Sequence, residues 1–347
     1  MDWCGVMPES ILVLTHADES GSLTKSSLEI VTAGKELATR LSAQLTIGVL
    51  AADSASPARA IAGADARVLG VSGGAFAQAR YVTDAAACEA LCKAAQAAVI
   101  LAPQSSRLAR VAAGVAHRIG GSIDTHITSI RGDAGLEVSR WYYRQRVEAV
   151  LSRPARPWIL LVEGGVFPAF VGNDSTVTVE QVTVQLPEVR TQVTGTRAPA
   201  EDEQTIRPDA RLLFVAGAGW TKKQPDGQVH ATDAGELIVA FLRKTGASLG
   251  SSKSLVDQGG DGQPVLPFLT HMNQVGQTGS TPRHPRGLAT CCHGEEPHVV
   301  GWRFIGERRA ISLDPNCGWA RGKADVVYIA DAFKVIAKVN ELLDAKV

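Results

Sequence analysis

Short apolar runs alternate with stretches of helical spacing along the first third of the chain. Ile11–Leu14 is a β-like run, and Leu28, Val31, Leu37 and Leu41 then recur at helical intervals. Leu45–Leu50 and Arg67–Val71 are the next strands, and an Ala-rich helical stretch from Asp84 to Gln96 leads into a strand at Ala98–Ala102. Ser105 or Ser106 is placed to cap a helix carrying Leu108, Val111, Ala112, Val115 and Ile119, which stops at Gly120 and Gly121. Strands that alternate with helices in this way predict a mostly parallel sheet with helices on both faces.

From Ile123 to Glu163 strand signals replace helix signals: Ile127–Ile130, Leu136–Val138, Val147–Leu151 and Trp158–Val162. Val171 to Asp209 is polar and holds one alternating segment, Val177–Leu186, which reads as an edge strand followed by a linker. A second α/β unit starts at Arg211, with a strand at Leu212–Ala216 and a capping box of Asp233 and Glu236 ahead of Leu237, Ile238, Phe241 and Leu242. That helix stops at Gly246. Leu288–Cys292, Arg309–Leu313 and Asp325–Ile329 are further strands, and an amphipathic helix bears Phe333, Ile336, Val339, Leu342 and Leu343. The expected fold class is α/β in two domains, each a mostly parallel sheet flanked by helices. The expected boundaries are 1–170, an edge strand and linker over 171–209, and 210–347.

Composition narrows the classes. The chain has 347 residues, 45% apolar and 20% charged, enough for two full cores. Lys+Arg 35 balances Asp+Glu 35, so no net charge steers it to nucleic acid or an anionic membrane. No apolar run reaches the roughly 18 residues of a membrane helix, and Met1–Ser10 carries acids without a basic region, unlike a secretory leader. A cytoplasmic protein without membrane insertion is expected. Six cysteines in a chain this long do not make a disulfide scaffold, and no C-x-x-C pair suggests a metal or iron–sulfur site. Cys88 and Cys92 read as a buried helix face, whereas Cys291 and Cys292 are adjacent and diverge.

Candidate chemistry concentrates in the second unit. Gly217-Ala218-Gly219 follows a strand and suits backbone approach to a phosphate, although it lacks the third glycine of the dinucleotide fingerprint and reads equally as a tight turn with no helix directly after it. Gly250-Ser251-Ser252-Lys253-Ser254 gathers hydroxyls and a cation, in a solvated loop or at a ligand's polar edge. Asn273-Gln274-Val275-Gly276-Gln277-Thr278-Gly279 is the most distinctive stretch, with amides and a hydroxyl able to bond along a planar heterocycle. His16, His126, His230 and His271 show no ligand spacing. His284, His293 and His298 with Cys291, Cys292 and Glu295 make at best a poor metal cluster. Arg140-Trp141-Tyr142-Tyr143-Arg144-Gln145-Arg146 reads as a strand at a subunit interface, where Trp, Tyr and Arg are enriched.

These motifs resemble the α subunit of electron-transfer flavoproteins over about residues 10 to 340. The resemblance rests on Gln274-Val275-Gly276-Gln277-Thr278-Gly279, the turn at Gly217, Gly250–Gly259 with Val256-Asp257, the His298 and Gly301 region, Asp314-Pro315 and Ala324–Phe333. Arg110–Thr128 and Val147–Pro168 of the first domain also take part. It implies an adenine-nucleotide hydrolase-like first domain that contacts a β subunit, and a C-terminal domain that holds FAD. The β subunit would bind AMP, and a flavin or iron–sulfur dehydrogenase would supply electrons for a downstream acceptor. Such a protein is a redox carrier more than a substrate-converting enzyme. By the same resemblance the cofactor-binding residues are Gly217, Gly219, Ser252, Lys253, Gln274, Val275, Gly276, Gln277, Thr278, His298, Ser312 and Asp325. Ser252 would meet the isoalloxazine edge, His298 the pyrimidine carbonyl, and Asp325 the adenosine end. Donors there favour the reduced anionic ring.

The sequence departs from the family pattern at several contacts. Lys253 stands where an Arg is usual, keeping the charge and losing the planar fork. Ala218 replaces an Arg, Ser312 and Leu313 replace Asn-Lys, and His293-Gly294-Glu295-Glu296-Pro297-His298 puts carboxylates where a diphosphate would dock. Two alternatives follow: a flavin-free nucleotide-binding subunit of a dehydrogenase complex, and an independent flavin oxidoreductase.

Overall fold

The computed structural model describes residues 9–132, 135–142, 147–173, 175–195, 206–207, 210–257, 264–275, 283–290, 302 and 304–345. The chain divides into two compact units, Met1–Thr196 and Arg197–Val347.

In the first unit the strands are β1 (Ser10–His16), β2 (Gln44–Ala51), β3 (Arg67–Ser72), β4 (Val99–Pro103), β5 (Ser122–Arg131), β6 (Glu137–Tyr142), β7 (Val147–Ser152), β8 (Trp158–Val162) and β9 (Val179–Gln181). Among the described residues they form a single sheet in the order β7-β6-β5-β8-β4-β1-β2-β3-β9. All neighbours are parallel except the β5–β6 and β6–β7 pairs. The central strands are apolar on both faces because helices cover both. On one side α1 (Lys25–Leu41) lays Ile30, Val31 and Leu37 on Ile11, Val13, Ile47 and Leu101. On the other side α3 (Tyr81–Ala95) and α4 (Ser106–Arg118), which follow the short α2 (Ala55–Ala58), cover Leu12, Leu14, Ile100 and Ile159.

Helix ends follow local chemistry. The Thr24 hydroxyl accepts the Ser27 amide at 3.1 Å to start α1, and Ser42 ends it in the left-handed region at φ 50. Ser105 is the cap of α4, its hydroxyl accepting the Leu108 amide at 3.3 Å. The expected edge strand at Val177–Leu186 shortens to β9, tied to β3 by the bidentate Arg67–Glu180 pair. The aromatic–basic stretch supplies the end of β6, where the Arg140 guanidinium lies 4.6 Å from the Tyr142 ring centre. Residues 143–146 lie outside the described set.

The second unit holds β10 (Leu212–Ala216), β11 (Ser248–Ser251), β12 (Arg286–Thr290), β13 (Glu307–Ser312) and β14 (Val326–Ile329), all parallel in the order β11-β10-β12-β13-β14. α5 (Ala231–Thr245) and α8 (Ala332–Asp344) bury Ile238, Phe241 and Ile336 against Phe214 and Ala216. The opposite face packs Leu213, Val215 and Ala289 on Trp302 and on Trp319 of α7 (Gly318–Lys323).

Three local expectations need correction. Gly250 and Ser251, read as a loop, form the end of β11, and α6 (Lys253–Asp257) follows directly. Small residues are required there because a Cβ on Gly250 would sit 2.4 Å from Val275 Cγ2. The Asp233–Glu236 capping box does not form. α5 starts at Ala231, so Asp233 falls inside the first turn, where its charge suits the helix dipole, and His230 is the capping position. A single 3-10 turn, Ala218–Thr221, does follow the Gly217 turn directly.

Candidate functional site

In open parallel sheets ligands bind beyond the carboxyl ends of the strands, at the point where the strand order reverses. In the second unit the order reverses between β10 and β12, because β11 lies on one side of β10 and β12 on the other. Gly217 follows β10 there, and its amide donates to the Thr290 carbonyl at 2.9 Å. Trp220 Nε1 donates to the Thr290 hydroxyl at 2.8 Å, and that hydroxyl donates to the Val215 carbonyl. Gly219 is buried, and its carbonyl accepts the Gln224 side-chain amide at 3.0 Å.

One strand over, Ser252 follows β11 and its amide donates to the Ala216 carbonyl at 2.9 Å. Its hydroxyl is 1% exposed and accepts the Leu255 amide at 3.3 Å, capping α6. Lys253 projects from α6 and pairs with Asp257 at 3.6 Å. Gln274 bridges to Ser251, and the Val275 amide donates to the Ser251 carbonyl at 3.1 Å, which fastens this segment to the end of β11. The Gln274 side-chain amide meets the His271 ring at 2.8 Å. Ser312 ends β13, buried, with its hydroxyl donating to the Asp314 carbonyl at 3.2 Å.

Seven expected residues therefore gather at the carboxyl ends of three strands: Gly217, Gly219, Ser252, Lys253, Gln274, Val275 and Ser312. Gly276, Gln277, Thr278 and His298 lie outside the described residues. Asp325 is not among the gathered residues. It precedes β14 at the amino end of the sheet, level with Arg308, about 13 Å of strand from Ser312. There its carboxylate accepts the Arg308 amide at 2.7 Å and the guanidinium at 2.8 Å, which holds its pKa below the usual carboxylate value. That is a structural clamp between β13 and β14.

The gathered set fits a flavin nucleotide in kind. It offers a glycine turn for backbone approach, a cation, hydroxyls and an amide at the sheet's switch point. A buried, unpartnered polar atom is also present there, the Ser251 hydroxyl.

The first unit has a comparable place that the sequence reading passed over. Its order reverses between β1 and β4, whose carboxyl ends carry His16 and Ser105. His16 Nδ1 lies 3.1 Å from the Ala17 carbonyl and Nε2 3.1 Å from the Ser105 hydroxyl, and burial depresses the imidazole pKa. Arg107 makes a two-pronged ion pair with buried Asp84 at 2.8 and 3.0 Å and donates to the Phe76 carbonyl at 2.7 Å. Farther along the same edge His126, a non-glycine at φ 59, sits on a bulge of β5 with its ring on Glu163 and its amide on the Gln104 side chain. Glu163 raises the His126 pKa. No sequence spacing signalled these pairs, since each joins residues more than twenty positions apart.

Among the described residues no group of three or more His, Cys, Asp or Glu side chains is arranged for a metal. Cys88 and Cys92 are buried as expected, and burial pushes the Cys92 thiol up to about 12 and the Cys88 thiol higher. His284 is buried, with Nε2 2.8 Å from the Arg207 carbonyl; Cys291, Cys292, His293, Glu295 and His298 lie outside the described residues. No helix among the described residues is long and apolar enough to cross a membrane.

Among solved structures, the chain is similar to a crystal structure of MurG from Acinetobacter baumannii, at 9% identity over 97% of this chain and 91% of that one. The TM-score of 0.31 is too low to carry any inference about fold. A family model, described as the electron transfer flavoprotein domain, matches residues 11–188. The match falls within the first unit and spans more than half of the chain. With two α/β units, the first on a mostly parallel sheet and the second on a parallel one, this chain belongs to the electron transfer flavoprotein domain family.

Proposed function

We propose that the chain is the α-type subunit of an electron-transfer flavoprotein and holds FAD at the carboxyl ends of β10, β11 and β13. The observation that carries this reading is the placement of Gly217, Ser252, Gln274 and Ser312 on one end of one parallel sheet, at and flanking its switch point. FAD held there would supply the redox chemistry by which electrons pass from a partner dehydrogenase to a downstream acceptor. The protein's part is to bind and orient. The Gly217 turn allows close approach of backbone, and Gln274 is steadied by its bridge to β11. Lys253 brings a positive charge that favours electron-rich ring states, tempered by its pairing with Asp257. A β subunit that carries AMP completes the carrier in this reading.

The second reading is a flavin-free subunit of a dehydrogenase complex. It is favoured by the fact that Ser252, Gln274 and Ser312 already bond within the protein. Purification of the full-length protein with its partner subunit, followed by a visible spectrum and cofactor extraction, separates the two. A yellow protein that releases FAD is expected. A colourless protein that also refuses added FAD would sink the proposal.

A further inference from the structure

Three strands of the second sheet end in hydroxyl residues: Ser251 on β11, Thr290 on β12 and Ser312 on β13. Thr290 both donates and accepts within the protein, and Ser312 donates to a carbonyl. Ser251 has no surface exposure, and its hydroxyl has no partner. Other buried atoms without partners belong to side chains engaged elsewhere. Arg207 donates through another nitrogen to Gly246, Asn340 through its amide to Leu237, Glu9 accepts from Arg156, Arg80 donates to Ala75, and Arg140 covers a ring. Among the described residues in that group, Ser251 is the hydroxyl left with neither a donor nor an acceptor partner. A buried hydroxyl without a partner is costly, and in a native protein its retention calls for water or a ligand.

Its position narrows the choice. The Ser251 backbone carbonyl takes the Val275 amide, its neighbour Ser252 bonds to Ala216, and its register partner across the isolated bridge is Gln274. It therefore lies where the Gly217, Ser252 and Gln274 segments meet. The family resemblance points to Ser252 as the hydroxyl for the flavin; that oxygen accepts the Leu255 amide to cap α6, whereas the Ser251 hydroxyl accepts and donates nothing within the protein.

We infer that the Ser251 hydroxyl is a hydrogen-bonding contact for the bound FAD, left without a partner by the protein so that the cofactor satisfies it. This rests on the flavin reading of the second unit. It predicts two effects of opposite sign for a single substitution. In the flavin-free protein Ser251→Ala removes an unsatisfied buried group, so the thermal midpoint rises by about 2–4 °C. In FAD titration of the same protein the substitution removes a bond, so the dissociation constant rises about tenfold.

The test uses the full-length protein purified with its partner subunit, stripped of flavin, the variant compared with wild type by thermal unfolding and by fluorescence titration with FAD. A raised midpoint together with weakened FAD binding supports the assignment. A lowered midpoint marks the hydroxyl as bonded to a buried water and overturns it. Equal FAD affinity in both proteins overturns the Ser251 role while leaving the flavin reading intact. Failure of the wild type itself to take up FAD overturns the flavin reading, and the Ser251 role with it.

Discussion

Both units end their parallel strands in polar residues at a switch point, and they treat those residues differently. In the first unit the polar groups consume one another: Arg107 locks onto Asp84, His16 onto Ser105, and His126 onto Glu163. In the second unit Ser251 is left without a partner, beside a glycine turn and a lysine. A parallel sheet creates the same opening in each case. What fills it is decided by whether the side chains satisfy one another first. The first edge is closed by its own ion pair, and the second, with its unused buried hydroxyl, is the one proposed above to take the flavin.

Breaking the closed edge should have the largest effect. Arg107→Met leaves Asp84 charged and buried, and a loss of about 3–5 kcal/mol is expected from the urea midpoint. A loss below about 1 kcal/mol would show that this edge is looser than its bonding suggests. At the other edge, Gly250→Ala forces a Cβ against Val275 Cγ2, and about 1–3 kcal/mol of stability should go as the side chains give way. Because Val275 anchors the Gln274 segment, flavin content should fall as well, a coupling absent from the first-unit variant.

A smaller effect sharpens the contrast through pH. Burial raises the Glu29 carboxyl above its ordinary value of 4.5, against the bond from the Gly165 amide. A raised carboxyl pKa makes ionisation cost stability as pH rises through the folded value. Glu29→Gln should therefore stabilise the protein near neutral pH, with the gain fading as pH falls through the raised folded value and gone below about pH 4.5, where both states are protonated. Thermal unfolding across that range reads it directly. The smallest effect is expected from Asp325→Asn. Loss of its solvent-screened pair with Arg308 should leave stability nearly unchanged, with flavin content unchanged. Flavin loss in that variant would return Asp325 to the cofactor site.

Much of the architecture was legible because a buried parallel strand needs apolar residues on both faces, as in Ile11–Leu14, Ala98–Ala102 and Leu212–Ala216. β11 was not legible. Ser248-Leu249-Gly250-Ser251 lacks β-branched residues, and its parallel pairing with β10 makes it a strand. The loops of the second unit looked the more distinctive, yet the family match falls on 11–188. The candidate site was half legible. Hydroxyls and amides near Ser252 and Gln274 announced polar contact, while the capping of α6 by Ser252 and the idleness of Ser251 did not show in the residue types.

The amino-acid sequence by itself determined the alternation of strand and helix, the starts and stops of most helices, and the two-part division, since each depends on neighbours within a few residues. Tertiary structure alone decided the strand order, the pairing of Arg107 with Asp84, and the placement of Asp325 at the far end from Ser312. Periodicity and capping are local forces. Which polar group finds a partner depends on strands brought together from distant parts of the chain, and no local pattern encodes that encounter.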